Sequence, residues 1–204
     1  MWCSTLIIMA KKLREITIDI ETLGNMTNGK FDVLAQVLTV ACIHDSSTGE
    51  FSSFYMDELP KLWPILESAD AIIGYNTEHF DLPVLNKYYA GDLTKIRSID
   101  LLKEVQNVLG RRLRLDNIAE ATLGRHKTGS GLQGVQWWKN GEYEKVRDYC
   151  IEDVRITRDV YEYALTNKSL KYKDYDGVRD IKLAVGHWRK PTQPIAAITH
   201  TLPW

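Results

Sequence analysis

The stretch Glu15-Ile16-Thr17-Ile18-Asp19-Ile20-Glu21-Thr22 decides how the rest of the chain is read. Ile16, Ile18 and Ile20 alternate with Thr17 and Asp19, and β-branched side chains fill most positions, so the segment reads as a β-strand. A strand inside a sheet is a costly place for acids, because a buried carboxylate without a partner costs several kcal/mol or takes up a proton. Asp19 and Glu21 stand two residues apart, so in an extended strand both carboxylates project from one face. Such a pair invites a cation between them. The alternative is a strand that ends at Ile18 and leaves both acids in solvent.

Outward from this strand, Leu23 to Lys30 reads as a loop, with two glycines and two asparagines. Val37 to His44 and Phe51 to Tyr55 form a hairpin about Asp45-Ser46-Ser47-Thr48-Gly49, so the first three strands make an antiparallel meander. Beyond the meander, Leu59 to Glu67 reads as a helix, Ala69 to Tyr75 as a buried strand, Phe80 to Tyr89 as a helix and Ile96 to Ile99 as a short strand. Asp100 caps a helix over Leu101 to Leu109 that Gly110 ends, and Asp116 caps another through Leu123. Arg125 to Gly134 reads as a flexible loop, and Glu142 to Leu165 as the longest helix. Asp176-Gly177 marks a second hairpin, between Leu170 to Tyr175 and Val178 to Val185. The segment from His187, with three prolines, reads as a tail draped on the surface or disordered. Strands in a meander followed by β–α alternation predict a mixed α/β sheet flanked by helices. The expected organisation is one main domain over 10–166, with a hairpin and tail over 167–204.

Composition narrows the function classes. A chain of 204 residues with 44% apolar and 26% charged residues is long enough for one sizeable core. The net charge of −1 gives no global basic field, so a surface for nucleic acid has to be local. Cys3, Cys42 and Cys150 show neither metal-ligand spacing nor a disulfide framework, which predicts a reduced, cytoplasmic setting. The apolar run Leu6 to Met9 is far too short to span a membrane and lacks a basic flank before it, so no membrane partner is expected. Met9 is an alternative first residue to Met1.

Two further acids need explaining. Asp81 follows a buried strand at the start of a helix, where an acid also stabilises the helix dipole by ~0.3–1 kcal/mol. On the long helix, Val146, Tyr149, Cys150, Asp153, Val154, Thr157, Val160, Tyr161 and Ala164 fall at steps of three and four and define the inward face. Asp153 stands in the middle of that stripe, where Val or Leu belongs, and Tyr149 lies one turn before it. The plainer readings are a buried Asp153–Arg pair and a Tyr149 that only packs.

An acid–x–acid strand end, a later acid after a strand and a Tyr–x–x–x–Asp helix together resemble the DEDD superfamily of 3′→5′ exonucleases. Asp19-Ile20-Glu21-Thr22 matches the first motif of that family, Asn76-Thr77-Glu78-His79-Phe80-Asp81 the second, and Tyr149-Cys150-Ile151-Glu152-Asp153 the third in its tyrosine form. The resemblance spans about Glu15 to Leu165 and is similar in character to the proofreading domain of family B DNA polymerases. It implies a ribonuclease-H-like fold in which Asp19, Glu21, Asp81 and Asp153 hold two Mg²⁺ or Mn²⁺ ions about 3.5–4 Å apart. Hard cations of this kind take oxygen ligands. It also implies that Asp19 is shared between the ions, that Tyr149 orients the attacking water, and that Asn76 contacts the nucleic acid. Thr22 and Leu23 are placed against the terminal nucleotide.

The resemblance implies a single-stranded DNA or RNA end as substrate, and a helicase or polymerase as a possible associate. Arg111, Arg112, Arg114, Arg125, His126 and Lys127 form a basic cluster, with Lys127 the candidate for phosphate contact. Trp137-Trp138 offers either base stacking or packing between helix and loop. Two other readings fit the same residues: a structure-selective endonuclease, and a non-catalytic nucleic-acid-binding or helicase-associated module. Intact acids speak against the latter. Oligomeric state has no signature in the sequence.

Overall fold

A computed structural model describes residues 12–24, 26–27, 30–125 and 131–190. In chain order the elements are β1 (Glu15–Leu23), β2 (Met26–Thr27), β3 (Lys30–Phe31), β4 (Val37–Asp45), β5 (Phe51–Tyr55), α1 (Leu59–Glu67), β6 (Ala71–Gly74), α2 (Asp81–Leu85), β7 (Ser98–Asp100), α3 (Leu101–Leu109), α4 (Leu115–Leu123), α5 (Gly131–Lys139), α6 (Tyr143–Asn167), β8 (Ser169–Asp174) and β9 (Gly177–Lys182). Five strands form one mixed sheet in the order β5-β4-β1-β6-β7. The β5, β4 and β1 strands pair antiparallel as the meander requires, while β6 runs parallel to both β1 and β7. This is the ribonuclease-H-like mixed sheet flanked by helices.

β1 holds the centre because both its faces are covered. Ile16, Ile18 and Ile20 point into an apolar cluster with Leu59, Leu62 and Leu66 of α1 and Leu82 and Leu85 of α2. The other face meets α6, where Val40 and Cys42 of β4 pack against Val146, Cys150 and Val154. Register then fixes the acids. Asp19 stands opposite Cys42 and Glu21 opposite Val40, so both share the face that α6 covers. Pairing shifts between Glu21 and Thr22, skipping Thr39, and such a bulge re-aims the strand end. β6 pairs only with Glu15, Ile16 and Thr17, which leaves the acidic half of β1 beyond that partner.

Several boundaries differ from the sequence expectations. The expected Leu23–Lys30 loop includes the two-residue strands β2 and β3. The cap of α4 is Arg114 and not Asp116, which lies inside the first turn. Residues 131–134, expected in a flexible loop, begin α5, and its tryptophans pack on neighbouring elements. The segment from His187 does not start as a draped tail: Trp188 is fully buried and stacks on Tyr161 with ring centroids 5.4 Å apart. Leu170, Tyr172 and Ile181 of the β8–β9 hairpin join the same core, on α4 and α6. Among the described residues no helix is long and apolar enough to cross a membrane.

Candidate active site

Two elements bring three carboxylates together. Asp19 and Glu21 come from β1 and Asp153 from α6, and oxygens of the three lie within 4.8 Å of one another. Strand parity places the first two, and the helical stripe places the third. Every residue read as inward on α6 is buried, Asp153 among them at 5% exposure. Three carboxylates at this spacing repel one another strongly, and a hard divalent cation offsets that repulsion with the oxygen ligands it prefers. The donor set therefore fits Mg²⁺ or Mn²⁺.

Asp81 is not one of these three carboxylates. It opens α2 and is buried, and its carboxylate accepts from the backbone N–H of Ile20, the residue between Asp19 and Glu21. Burial pushes the Asp81 carboxyl up to about 7, against the pull of backbone hydrogen bonds, and the charge of Asp100 adds to the rise. Asp100 is itself a buried acid, satisfied by four backbone donors: Asn76, Glu78, Leu102 and Lys103. It caps α3 and at the same time pins the turn that carries Asn76.

Asn76 adopts the left-handed conformation at φ 73°, and its side-chain oxygen accepts from Arg112 at 2.6 Å. Non-glycine residues in this region are uncommon and gather at functional turns. Thr22 bonds Gln36 at 3.3 Å, and Leu23 is half-buried at the end of β1. Lys127 and His126 lie outside the described residues. Three arginines of that stretch have separate partners. Arg111 turns to Asp174 on the hairpin and Arg125 to Asp159 on α6, while Arg112 stays at Asn76.

Tyr149 is buried one turn before Asp153 and meets Trp137 edge to face, with ring centroids 6.1 Å apart. Trp138 packs on Tyr143 at 4.5 Å and Tyr55 at 6.4 Å. Both tryptophans thus serve packing of α5 on its neighbours. Two contacts at the site have no motif in the sequence. Gly134 on α5 lies against the carboxylate of Glu21. The thiol of Cys150 faces Asp19, and burial pushes its pKa well up, with the neighbouring Cys42, Asp19 and Glu21 adding to the rise. A lone glycine inside a presumed loop gave no reason to expect the first, and a cysteine in an apolar stripe gave little for the second.

A family model described as RNase_H superfamily matches residues 16–165, a span that contains all of these acids. No curated protein matches the chain. Among solved structures, the family B DNA polymerase from the hyperthermophilic archaeon Pyrobaculum calidifontis is similar, with a TM-score of 0.59 and 19% identity over 76% of this chain and 25% of that one. The chain thus corresponds to about a quarter of that polymerase's length, and at this identity the likeness is one of fold.

Proposed function

The chain belongs to the RNase_H superfamily, and from that membership we propose that it is a nuclease that removes nucleotides 3′→5′ from single-stranded nucleic-acid ends. The observation that supports this most is the convergence of Asp19, Glu21 and Asp153 from β1 and α6 inside the matched span. These three, with Asp81, are the residues to hold two Mg²⁺ or Mn²⁺ ions. When bound, such ions supply Lewis acidity for phosphodiester hydrolysis.

The protein's own groups do the rest. Tyr149 orients the attacking water through its hydroxyl, since a phenol with a pKa near ~10 is a better positioner than base. Asn76 holds the strand near its scissile end, its amide fixed by Arg112. Thr22 and Leu23 bound the terminal nucleotide at the end of β1, and Lys127 contacts phosphate. The polarity and the preference for single strands rest on the motif resemblance.

The test is a cleavage assay on 5′-labelled DNA and RNA oligonucleotides with Mg²⁺ or Mn²⁺. Stepwise shortening of the label-bearing strand is the expected result. Discrete internal cuts would instead indicate an endonuclease, and binding without cleavage a non-catalytic module.

A further inference from the structure

We propose that Cys150 is a positioning residue for Asp19, its thiol holding the Asp19 carboxylate in the orientation that metal binding requires. The inference rests on the reading of Asp19 as a metal ligand. Its grounds are geometric. Cys150 lies between Tyr149 and Asp153 on the inward face of α6 and is fully buried. Its sulfur stands 3.4 Å from the backbone oxygen of Asp19 and 3.6 Å from Oδ2 of the same residue. Both are hydrogen-bonding distances for sulfur, and the single S–H, which also has Cys42 beside it, can donate to either oxygen; turned to Oδ2 it holds the carboxylate.

The surroundings make this donor informative. Cys150 belongs to an apolar cluster with Val40, Cys42, Val146 and Val154, where an aliphatic side chain of similar size would pack as well. A valine there would press methyl groups on Oδ2 and offer it no hydrogen. Asp19 is half-buried, and a carboxylate oxygen pressed on an apolar wall would turn away from it. With the thiol in place, Asp19 is held from α6, the same helix that supplies Asp153. The two elements of the site are thereby tied through a ligand's own side chain. Groups that bond a metal ligand from behind fix its orientation, and their loss costs about 10–100-fold in metal affinity or activity. A thiol is a weak donor, so an effect at or below the lower bound is expected, about three- to tenfold.

The experiment is Mn²⁺ titration of the full chain without nucleic acid, read by the electron paramagnetic resonance signal of free Mn²⁺, with melting curves in EDTA for each variant. Cys150→Ser keeps a donor and should bind Mn²⁺ within about twofold of the wild type. Cys150→Val and Cys150→Ala remove the donor, one with about a methyl more volume and the other with less, and both should bind about three- to tenfold more weakly. If Cys150 only packs, the order reverses: Val retains affinity and Ser loses it. That reversal, or wild-type affinity in the folded Ala variant, overturns the proposal. Asp19→Ala separates the premise from the inference. Undiminished Mn²⁺ binding by that variant overturns the reading of Asp19 as a ligand, whereas lost binding there with unchanged affinity in the Cys150 variants overturns only the role of Cys150.

Discussion

A Cβ placed on Gly134 would stand 3.3 Å from Oε2 of Glu21, so α5 lies directly on one carboxylate of the acidic trio. Gly134 is helical and buried; its value is close approach and not a special dihedral. A glycine inside a helix costs about 0.5–1 kcal/mol against alanine. The position gives up that stability and in return leaves Glu21 its place. Gly134→Ala should therefore leave the melting temperature in EDTA unchanged or higher while weakening Mn²⁺ binding several-fold. Parallel melting and titration check this, and a higher melting point with wild-type Mn²⁺ affinity would mean that the Glu21 side chain simply yields.

Tyr149 and Asp153 share a helix face, and the proposed function gives them different tasks. Tyr149→Phe removes a hydroxyl while the ring keeps its edge contact with Trp137. The loss should not exceed the ~10²–10⁴-fold contributed by positioned proton-transfer groups. Asp153→Ala removes an oxygen ligand from the trio and should cost more. Single-turnover rates on a labelled oligonucleotide rank the two. Equal damage from both substitutions would contradict the division of roles.

Arg189 ties the last packed segment to the first strand. Its guanidinium bonds both oxygens of Glu15, at 3.0 and 2.7 Å, and reaches Glu162 at 2.7 Å. Glu15 is buried at 5% exposure and also accepts from the hydroxyl of Tyr161 at 2.6 Å. Removing one partner of a buried pair costs ~3–5 kcal/mol, because the other charge stays unpaired. The Arg189 side chain is about half exposed, 46%, so water offsets part of that cost. Arg189→Met should destabilise by about 2 kcal/mol, and urea unfolding measures it. A change below about 0.5 kcal/mol would show that Tyr161 and solvent suffice for Glu15.

Asp81 makes stability depend on pH in the direction opposite to most acids. Its carboxyl is raised to about 7 in the folded protein, against about 3.9 in an unfolded chain. Between those values the folded state binds more protons than the unfolded one, so stability falls as pH rises. Without metal, the wild type should lose on the order of 2–4 kcal/mol from this group between pH 4 and 7. Asp81→Asn cannot ionise and should lose less over the same range. Chemical unfolding at pH 5 and 7.5 in EDTA gives the comparison, and parallel losses in the two proteins would refute it.

The sequence carried the centre of the fold and of the site because both depend on short periods. Alternation along Glu15 to Thr22 gave β1 and put Asp19 and Glu21 on one face, and the steps of three and four along α6 gave the buried face of Asp153. What stayed illegible depends on packing across long sequence distances. Arg189 finds Glu15 from 174 residues away, and no local pattern announces that pairing. α5 contains Gly131 and Gly134, which argue for a loop; its tryptophans and the proximity of Glu21 support the helix instead. The arginines are close in sequence, but the acids that Arg111 and Arg125 pair with lie on different elements, and no local pattern announces those pairings. Its place after a strand and the motif from Asn76 marked Asp81, but not its burial and its bond to Ile20, which are properties of the folded sheet.

Asp153→Asn separates a metal ligand from a structural acid. In EDTA, the wild type holds Asp19, Glu21 and Asp153 within 4.8 Å, and their mutual repulsion opposes folding. Asparagine keeps the shape of the side chain and removes one charge, so the variant should melt higher than the wild type. Functional sites commonly trade stability for activity in this direction. A divalent metal held by the trio in the folded form alone would stabilise it by RT ln(1 + [L]/Kd), about 1.4 kcal/mol at roughly tenfold excess over Kd. With one ligand lost, the variant should gain less than the wild type from the same concentration of Mg²⁺ or Mn²⁺. Were Asp153 instead the buried partner of an arginine, asparagine would strand that cation at a cost of several kcal/mol. The melting point in EDTA would then fall, and the shift on adding metal would match that of the wild type. Those two curves, each with and without metal, distinguish the cases, and a lower EDTA melting point with an unchanged metal shift would remove Asp153 from the metal site.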